Sequence, residues 1–240
     1  MSTKRTVLTG IAGAALAGGS LLAIPGIASA SVRPNTFATA KVQLEQQLSN
    51  RTSQLSRLSA DVTAAAAAKS LTPAHEAALS ASITTATGNI ASLTTSVHGA
   101  TTGAELRADS ASMVKQNRVY AVLTPQVFET IEADAIAAQV LTFQGSEATL
   151  QTSVNVLVGL PGYTTAQNHY LNFVKNVGVA NENATNVATE VLLQTPADYP
   201  NDTHVFVKAN KSLLAADIAL AHATYDESVI GLASGGYTGS

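Results

Sequence analysis

Apolar residues recur at alternating steps of three and four positions through most of this chain, and this spacing restricts the fold more than any other feature. It is the spacing of a heptad seam, in which one apolar stripe runs along an α-helix. The first two stripes consist of Phe37, Leu44, Leu48, Leu55, Leu58, Val62 and Ala65, and then of Leu79, Ile83, Ala86, Ile90, Leu93 and Val97. Lys41 and Arg51 occupy the two gaps in the first stripe. Aromatic residues make up only 5% and tryptophan is absent, which suits closely packed helices, so the predicted fold class is all-α.

Capping residues mark the ends of these helices. Thr72 is the expected N-cap of the second helix, with Pro73 at its first helical position. Gly99 should end that helix, and Thr102 with Glu105 matches a capping box that opens a third. The short connection makes the first two helices antiparallel neighbours, and a third helix is needed to close their core.

The stretch from Thr102 to Gly159 is interpreted as one long central helix that bends near Pro125. Leu106, Met113 and Tyr120 lie seven positions apart, and helical spacing continues beyond the proline from Phe128. A proline within a helix removes one backbone hydrogen bond and clashes with the preceding turn, so a kink is expected there. Tyr120 and Phe128 are expected in the core.

A second pair of helices follows the strongest turn signal, at residues 159–163, and extends to about Ala233. When residues are counted outward from each hairpin turn at equal rise, both hairpins end close to Pro125 from opposite sides. This predicts an elongated helical bundle, in which two three-helix bundles share a long central helix kinked near Pro125. The alternative is that the chain breaks at Pro125 and folds its second half back onto the first.

The first thirty residues have the features of an export signal. Lys4 and Arg5 precede an apolar segment, and residues 28–30 match an A-x-A cleavage site. A membrane anchor is the alternative, and Lys4-Arg5 also resembles an imperfect twin-arginine motif, although ordinary secretion is favoured. The expected division is a signal peptide at 1–30, a hairpin with the first half of the central helix at 31–125, the second half with its hairpin at 126–233, and a disordered tail at 234–240. The predicted location is secreted, extracellular or associated with the cell wall.

Charge and residue types exclude several classes of function. Loss of Lys4 and Arg5 with the signal would reduce 13 basic residues by two against 16 acidic ones, giving a net charge of about −5. No basic cluster suits a phosphate backbone, so nucleic acid is not an expected partner. The absence of cysteine excludes disulfides and thiolate metal sites. No histidine follows the Glu-x-x-His pattern of di-iron bundles, and His222 with Asp226 is interpreted as a solvated pair.

The residues between the two predicted hairpins form the candidate site. We expect a junction surface that carries Arg118, Tyr120, Glu129, Glu132 and Asp134, because grooves form where two bundles meet. The carboxylates follow a predicted helix start, where the helix dipole favours negative charge. The same residue count places Asp109 beside Arg51, which predicts a partly buried ion pair that fixes helix register.

The segments Glu105-Leu106-Arg107-Ala108-Asp109, Arg118-Val119-Tyr120 and Pro125-Gln126 resemble uncharacterised secreted helical proteins of high-GC Gram-positive bacteria over residues 75–135. The resemblance implies an exported helical protein and carries no activity. We therefore expect a non-enzymatic helical scaffold or interaction protein, with no cofactor, no metal and no catalytic residue. Its partner would be another protein or a second copy of itself, and no membrane span should remain after signal cleavage. The alternative is an extracellular carrier, or a bundle that binds lipid surfaces, for a lipid or small apolar ligand.

Overall fold

The chain is all-helical in a computed structural model that describes residues 34–201 and 203–235. The elements are α1 (Pro34–Ala67), α2 (Pro73–Gly99), α3 (Gly103–Lys115), a π-helical turn (Val119–Leu123), α4 (Thr124–Asn155), α5 (Tyr163–Ala184), α6 (Val187–Leu192) and α7 (Thr203–Gly235). The predicted signal peptide at 1–30 lies outside the described residues. The predicted tail does so from residue 236 onward, whereas residues 234 and 235 belong to α7.

The first hairpin follows its sequence pattern closely. All predicted seam residues of α1 from Leu44 to Ala65 are buried, and α2 buries Leu79, Ile83, Ile90 and Val97. The side chain of Thr72 accepts the hydrogen bond of the His75 N–H, and the capping box at Thr102 is complete. Each such cap stabilises a helix by about 1 kcal/mol.

The two charged residues in the α1 seam reach past the core to partners at its edge. Lys41 Nζ donates to the carbonyl oxygens of His98 at 2.7 Å and Ala100 at 3.3 Å, which satisfies the end of α2. The guanidinium of Arg51 lies over the Tyr120 ring, with 5.3 Å between its carbon and the ring centroid. These contacts explain why the apolar pattern can be interrupted at both positions.

The central stretch is interrupted before Pro125 and not at it. α3 ends at Lys115, and the chain resumes helical structure in the π-helical turn that leads directly into α4. In that turn the N–H of Thr124 and its hydroxyl, at 2.9 Å, both donate to the carbonyl oxygen of Val119, five residues earlier. The wider turn relieves the clash that a proline ring makes with the carbonyl four residues before it.

The heptad count from α3 does not carry across the non-helical residues 116–118, so that two core predictions are wrong. Val119 occupies the buried position that the seven-residue spacing assigns to Tyr120, and Tyr120 is 47% exposed. Phe128 is 39% exposed, while its neighbour Val127 is fully buried. The chain leaves the helix between Lys115 and Val119, and the apolar period resumes one position earlier than the seven-residue spacing predicts.

In the second half, α4, α5 and α7 pack on one another, and α6 packs against α4. Phe173, Leu213 and Ile230 are fully buried there, and the Phe143 and Phe173 rings meet edge to face at 5.5 Å. The first helix of the predicted second pair is divided between α5 and α6, because Asn186 adopts φ 66°. Asn tolerates this left-handed conformation better than most residues.

Two hydrophobic cores result, and the start of α4 contributes to both. Val119, Leu123, Val127 and Ile131 belong to the core of α1, α2 and α3, whereas Val122, Ala133 and Ile136 belong to the core of α5, α6 and α7. This part of α4 is therefore buried on nearly all sides. Among the helices of the described ranges, none combines the length and hydropathy that crossing a bilayer requires.

Candidate functional site

The junction segment, residues 118–134, is where the structure places most polar groups in buried positions. Asn117 just before it, and Gln126, Glu129, Thr130 and Asp134 within it, are all buried. Buried polar groups are costly unless they find partners, so each contact here indicates what the segment does.

Two arginine–tyrosine stacks lie at the start of the segment. The guanidinium carbon of Arg118 lies 3.9 Å from the centroid of the Tyr199 ring, which belongs to the connection between α6 and α7. Tyr120 receives Arg51 from α1 in the same way, at 5.3 Å. Burial lowers the pKa of Arg51 from its ordinary value, an effect that the tyrosine opposes. The two stacked pairs therefore connect the π-helical turn to both halves of the molecule.

Gln126 joins α4 to the end of α6. Its Nε2 donates to the carbonyl oxygen of Val191 at 2.9 Å and to that of Gln194 at 2.7 Å. The last carbonyls of a helix have no partner within the helix, so the buried amide stabilises the C-terminus of α6.

Asp134 joins α4 to the start of α2. One of its carboxylate oxygens accepts the Thr72 N–H at 2.7 Å, and His75 Nδ1 lies 2.9 Å from both oxygens. A carboxylate beside a helix N-terminus also interacts favourably with the helix dipole. The acidic residue predicted for a surface is thus 9% exposed and caps the neighbouring helix.

A second His–Asp pair has the same form in the other half of the chain. His169 Nδ1 of α5 lies 2.7 Å from Asp226 Oδ1 of α7, and Asn176 Nδ2 donates to the other carboxylate oxygen at 3.2 Å. The prediction that Asp226 forms a solvated pair with His222 is wrong, because Asp226 is 5% exposed and faces α5. Its place in the buried stripe of α7, three residues after Ala223, was the signal for a partner on another helix.

Three carboxyl groups meet between α4 and α7. Glu129 and Glu132, three residues apart, share one side of α4, and Asp217 of α7 forms a hydrogen bond with Glu132. Burial first, and then the charge of Glu132, raises the pKa of Glu129 to about 8. Burial, followed by the charge and hydrogen bond of Asp217, raises the pKa of Glu132 to about 7. Partial burial also raises the pKa of Asp217.

With a pKa of about 8, Glu129 is mostly protonated at neutral pH, which lowers the cost of burying it. Among the residues that the structure describes, Glu129 Oε2 has no hydrogen-bond partner, and no three His, Asp or Glu side chains are arranged to hold a metal ion. The raised pKa values of Glu129 and Glu132 therefore make the free energy of unfolding depend on pH.

The predicted ion pair between Arg51 and Asp109 is not formed. Arg51 donates to the carbonyl oxygen of Gln47 at 3.2 Å and stacks on Tyr120, whereas Asp109 accepts the hydroxyl of Ser96 at 2.9 Å. Asp109 faces α2 and not α1, so the residue count that aligned it with Arg51 does not describe this side of α3.

Two clefts border the junction segment. One, of about 160 Å³, is lined by His75, Asp134 and residues of α5 and α6, and the other, of about 420 Å³, by Tyr120, Arg57 and three polar residues of α1. Of the five predicted surface residues, only Tyr120 is exposed, while Arg118 and Glu132 are half-buried and the other two are buried. The structure brings all five into one segment of the chain but turns most of them toward other helices.

A row of exposed apolar side chains runs along α7, outside its buried seam. We call it the outer stripe: Val207, Lys211, Leu214, Ile218, Ala221, Tyr225, Ser228 and Leu232. These residues alternate at steps of four and three, so they form a second heptad seam beside the buried one. The five large apolar members are 52–81% exposed. Sequence reasoning missed this stripe because one buried seam was sufficient to explain the helix.

Comparison with protein-family models, with curated proteins and with solved structures finds no match. The resemblance to secreted helical proteins of high-GC Gram-positive bacteria therefore stays a prediction, and the functional argument rests on the molecule's own geometry.

Proposed function

We propose that this chain is a non-enzymatic interaction protein of the extracellular space or cell envelope, which presents the outer stripe of α7 to a protein partner. The observation that carries the proposal is the stripe itself, in which apolar side chains are exposed at heptad spacing along one helix face. Contiguous exposed apolar surface is uncommon on proteins that act alone, and heptad spacing suits an opposing helix.

The junction segment supports a scaffold role. Its polar and aromatic side chains contact α1, α2, α7, the end of α6 and the connection between α6 and α7, and each contact joins two parts of the fold. We propose that the molecule is two three-helix bundles that share the helix around this segment. Rigid packing there would hold the outer stripe in a fixed position for binding.

A carrier of an apolar ligand is less well supported. Ligand pockets for such molecules are mostly apolar and measure roughly 300 Å³ or more. The smaller cleft at the junction segment is about 160 Å³, and the larger one is lined by polar side chains throughout.

The proposed location rests on the predicted signal peptide at 1–30. One experiment can test this location and the binding role of the outer stripe together. A photo-cross-linking amino acid replaces Ile218 of the outer stripe in one variant and Val42 of α1 in a matched control, since both side chains are more than half exposed. In cells that produce the chain, we expect cross-linked adducts outside the cytoplasm from position 218 and not from position 42. Absence of adducts at 218, or equal labelling at both positions, would contradict the proposal.

A further inference from the structure

We propose that the outer stripe binds the same stripe of a second copy of this chain, with the two α7 helices antiparallel. This inference rests on the proposed function and specifies its partner. The two-fold axis passes between residues 219 and 220, so that each copy contributes the same surface.

Antiparallel pairing about this axis places stripe residues opposite stripe residues along the full length. Val207 faces Leu232 of the second copy, Leu214 faces Tyr225 and Ile218 faces Ala221. The stripe has two polar members, Lys211 and Ser228, and these face each other. If one α7 helix were shifted along the other by one heptad, Lys211 and Ser228 would no longer face each other. Each would lie against an apolar side chain or outside the contact, so the stripe is self-complementary in one register.

Charge favours the antiparallel orientation over the parallel one. In a parallel pair each stripe residue faces its own copy, and Lys211 would meet a second Lys211 within an otherwise apolar seam. Like charges in a desolvated contact cost several kcal/mol. The antiparallel pair gives each ammonium group a hydroxyl as its neighbour instead.

The residues that flank the stripe carry little charge. On one side they are Lys208, Ala215, His222 and Val229, and on the other Asn210, Asp217, Thr224 and Gly231. Lys208 already pairs with Glu190 at 2.9 Å. A membrane-binding helix has a polar face rich in lysine and arginine, so this composition fits a helix partner better than an anionic lipid surface.

The contact area is sufficient for a specific but weak dimer. Five large apolar side chains per copy, each exposed by at least 52%, would bury about 100 Å² each, or about 1,000 Å² for the two copies together. That is the lower limit for a biological interface, so the dimer should dissociate on dilution.

The experiment measures mass by sedimentation equilibrium across concentration. We expect monomer near about 1 µM and dimer near about 1 mM. Ile218→Asp should raise the dissociation constant at least about tenfold, because it places a carboxylate in the centre of the seam. The control Val42→Asp, on an exposed position of α1, should leave the constant unchanged. A monomer at every concentration, or equal effects of the two variants, would overturn the proposal.

Orientation is tested with single cysteines, since the chain has none of its own. Val207→Cys mixed with Leu232→Cys should form a disulfide between the two variants, whereas each variant alone should not. Positions 207 of the two copies lie about 38 Å apart in the antiparallel pair, at 1.5 Å per residue. Efficient disulfide formation by Val207→Cys alone would show a parallel pair and overturn the proposed orientation.

Other occupants give different outcomes. If vesicles of phosphatidylglycerol and phosphatidylcholine carry the chain in a flotation assay and Ile218→Asp abolishes this, the stripe binds lipid and the second-copy proposal fails. If the chain is monomeric but position 218 cross-links to another protein in cells, the proposed function stands and only the identity of the partner is wrong.

Discussion

The junction segment and the outer stripe depart from the usual distribution of side chains in opposite directions. In the junction segment, polar groups such as Gln126 and Asp134 are buried, and in the outer stripe, large apolar groups such as Leu214 and Ile218 are exposed. Gln126 and Asp134 have partners on other helices, so their role is internal. The exposed apolar groups have no such role within the monomer, which is why we assign binding to α7 and not to the junction segment.

The largest expected effect concerns the carboxyl groups of the junction segment. In the folded chain the pKa of Glu129 is about 8 and that of Glu132 about 7, both above the ordinary carboxyl value of 4.5. Between about pH 4.5 and pH 8, the folded state therefore binds more protons than the unfolded state. The free energy of unfolding consequently falls as pH rises through this range. We expect the free energy of unfolding to decrease by about 3 kcal/mol between pH 5 and pH 9 in urea titrations.

Glu129→Gln is the matched variant for this prediction. The neutral amide has nearly the same shape but cannot ionise, so stability should depend less on pH and should exceed that of the parent chain at pH 9. Asp61→Asn, a change at an exposed position of α1, should leave the pH profile unaltered. A flat profile for the unmodified chain would show that Glu129 is not buried as described.

A smaller effect is expected from Asp134→Ala. The change removes the acceptor for the Thr72 N–H and the partner of His75, and we expect a loss of about 2–3 kcal/mol in the free energy of unfolding at pH 6. His75→Ala should cost less, because the Thr72 contact remains. Equal losses in the two variants would mean that the backbone contact contributes little.

Gln126→Ala should cost about 1–2 kcal/mol, since the carbonyl oxygens of Val191 and Gln194 lose their donor. Hydrogen exchange gives a local measurement, in which amides of α6 should exchange faster while those of α1 do not change. Unaltered exchange in α6 would indicate that another group satisfies these carbonyls.

The smallest effect on folding is expected from Ile218→Ser. The side chain is 52% exposed, so the free energy of unfolding at low concentration should stay within about 0.5 kcal/mol of the parent value. Circular dichroism with urea checks this at a concentration where the chain is monomeric. A loss above about 1.5 kcal/mol would place Ile218 in the internal packing and remove the contrast between the two regions.

Much of the local structure could be predicted from the sequence. The seams of α1 and α2, the Thr72 cap and the Thr102 capping box depend on interactions within a few residues or on one regular period, and the structure confirms them. Tyr120 was misplaced because the helix is interrupted at residues 116–118, so the seven-residue period of α3 does not continue to it. The partners of Asp134 and Asp226 lie 59 and 57 residues away in sequence, and no local pattern specifies such pairs.

The candidate site was predicted in location but not in character. The five residues from Arg118 to Asp134 do lie where the two cores meet, yet four of them turn wholly or partly inward. Counting residues along a helix gives the height of a residue in the bundle. The direction in which its side chain points depends on how the helix is rotated about its own axis. A shift of one residue in the helical period turns a side chain by about 100°.

Sequence by itself determined that the described chain is all-helical, where α2 and α3 begin, and which stripes of α1 and α2 are buried. These properties follow from capping chemistry and from the helical period, which act over a few residues. Tertiary structure decided which helix faces meet at the junction segment, how far burial raises the pKa values of Glu129 and Glu132, and that α7 carries a second, exposed seam. Those outcomes depend on packing between residues far apart in the chain, where helix rotation and the space left by neighbouring side chains determine which groups are buried.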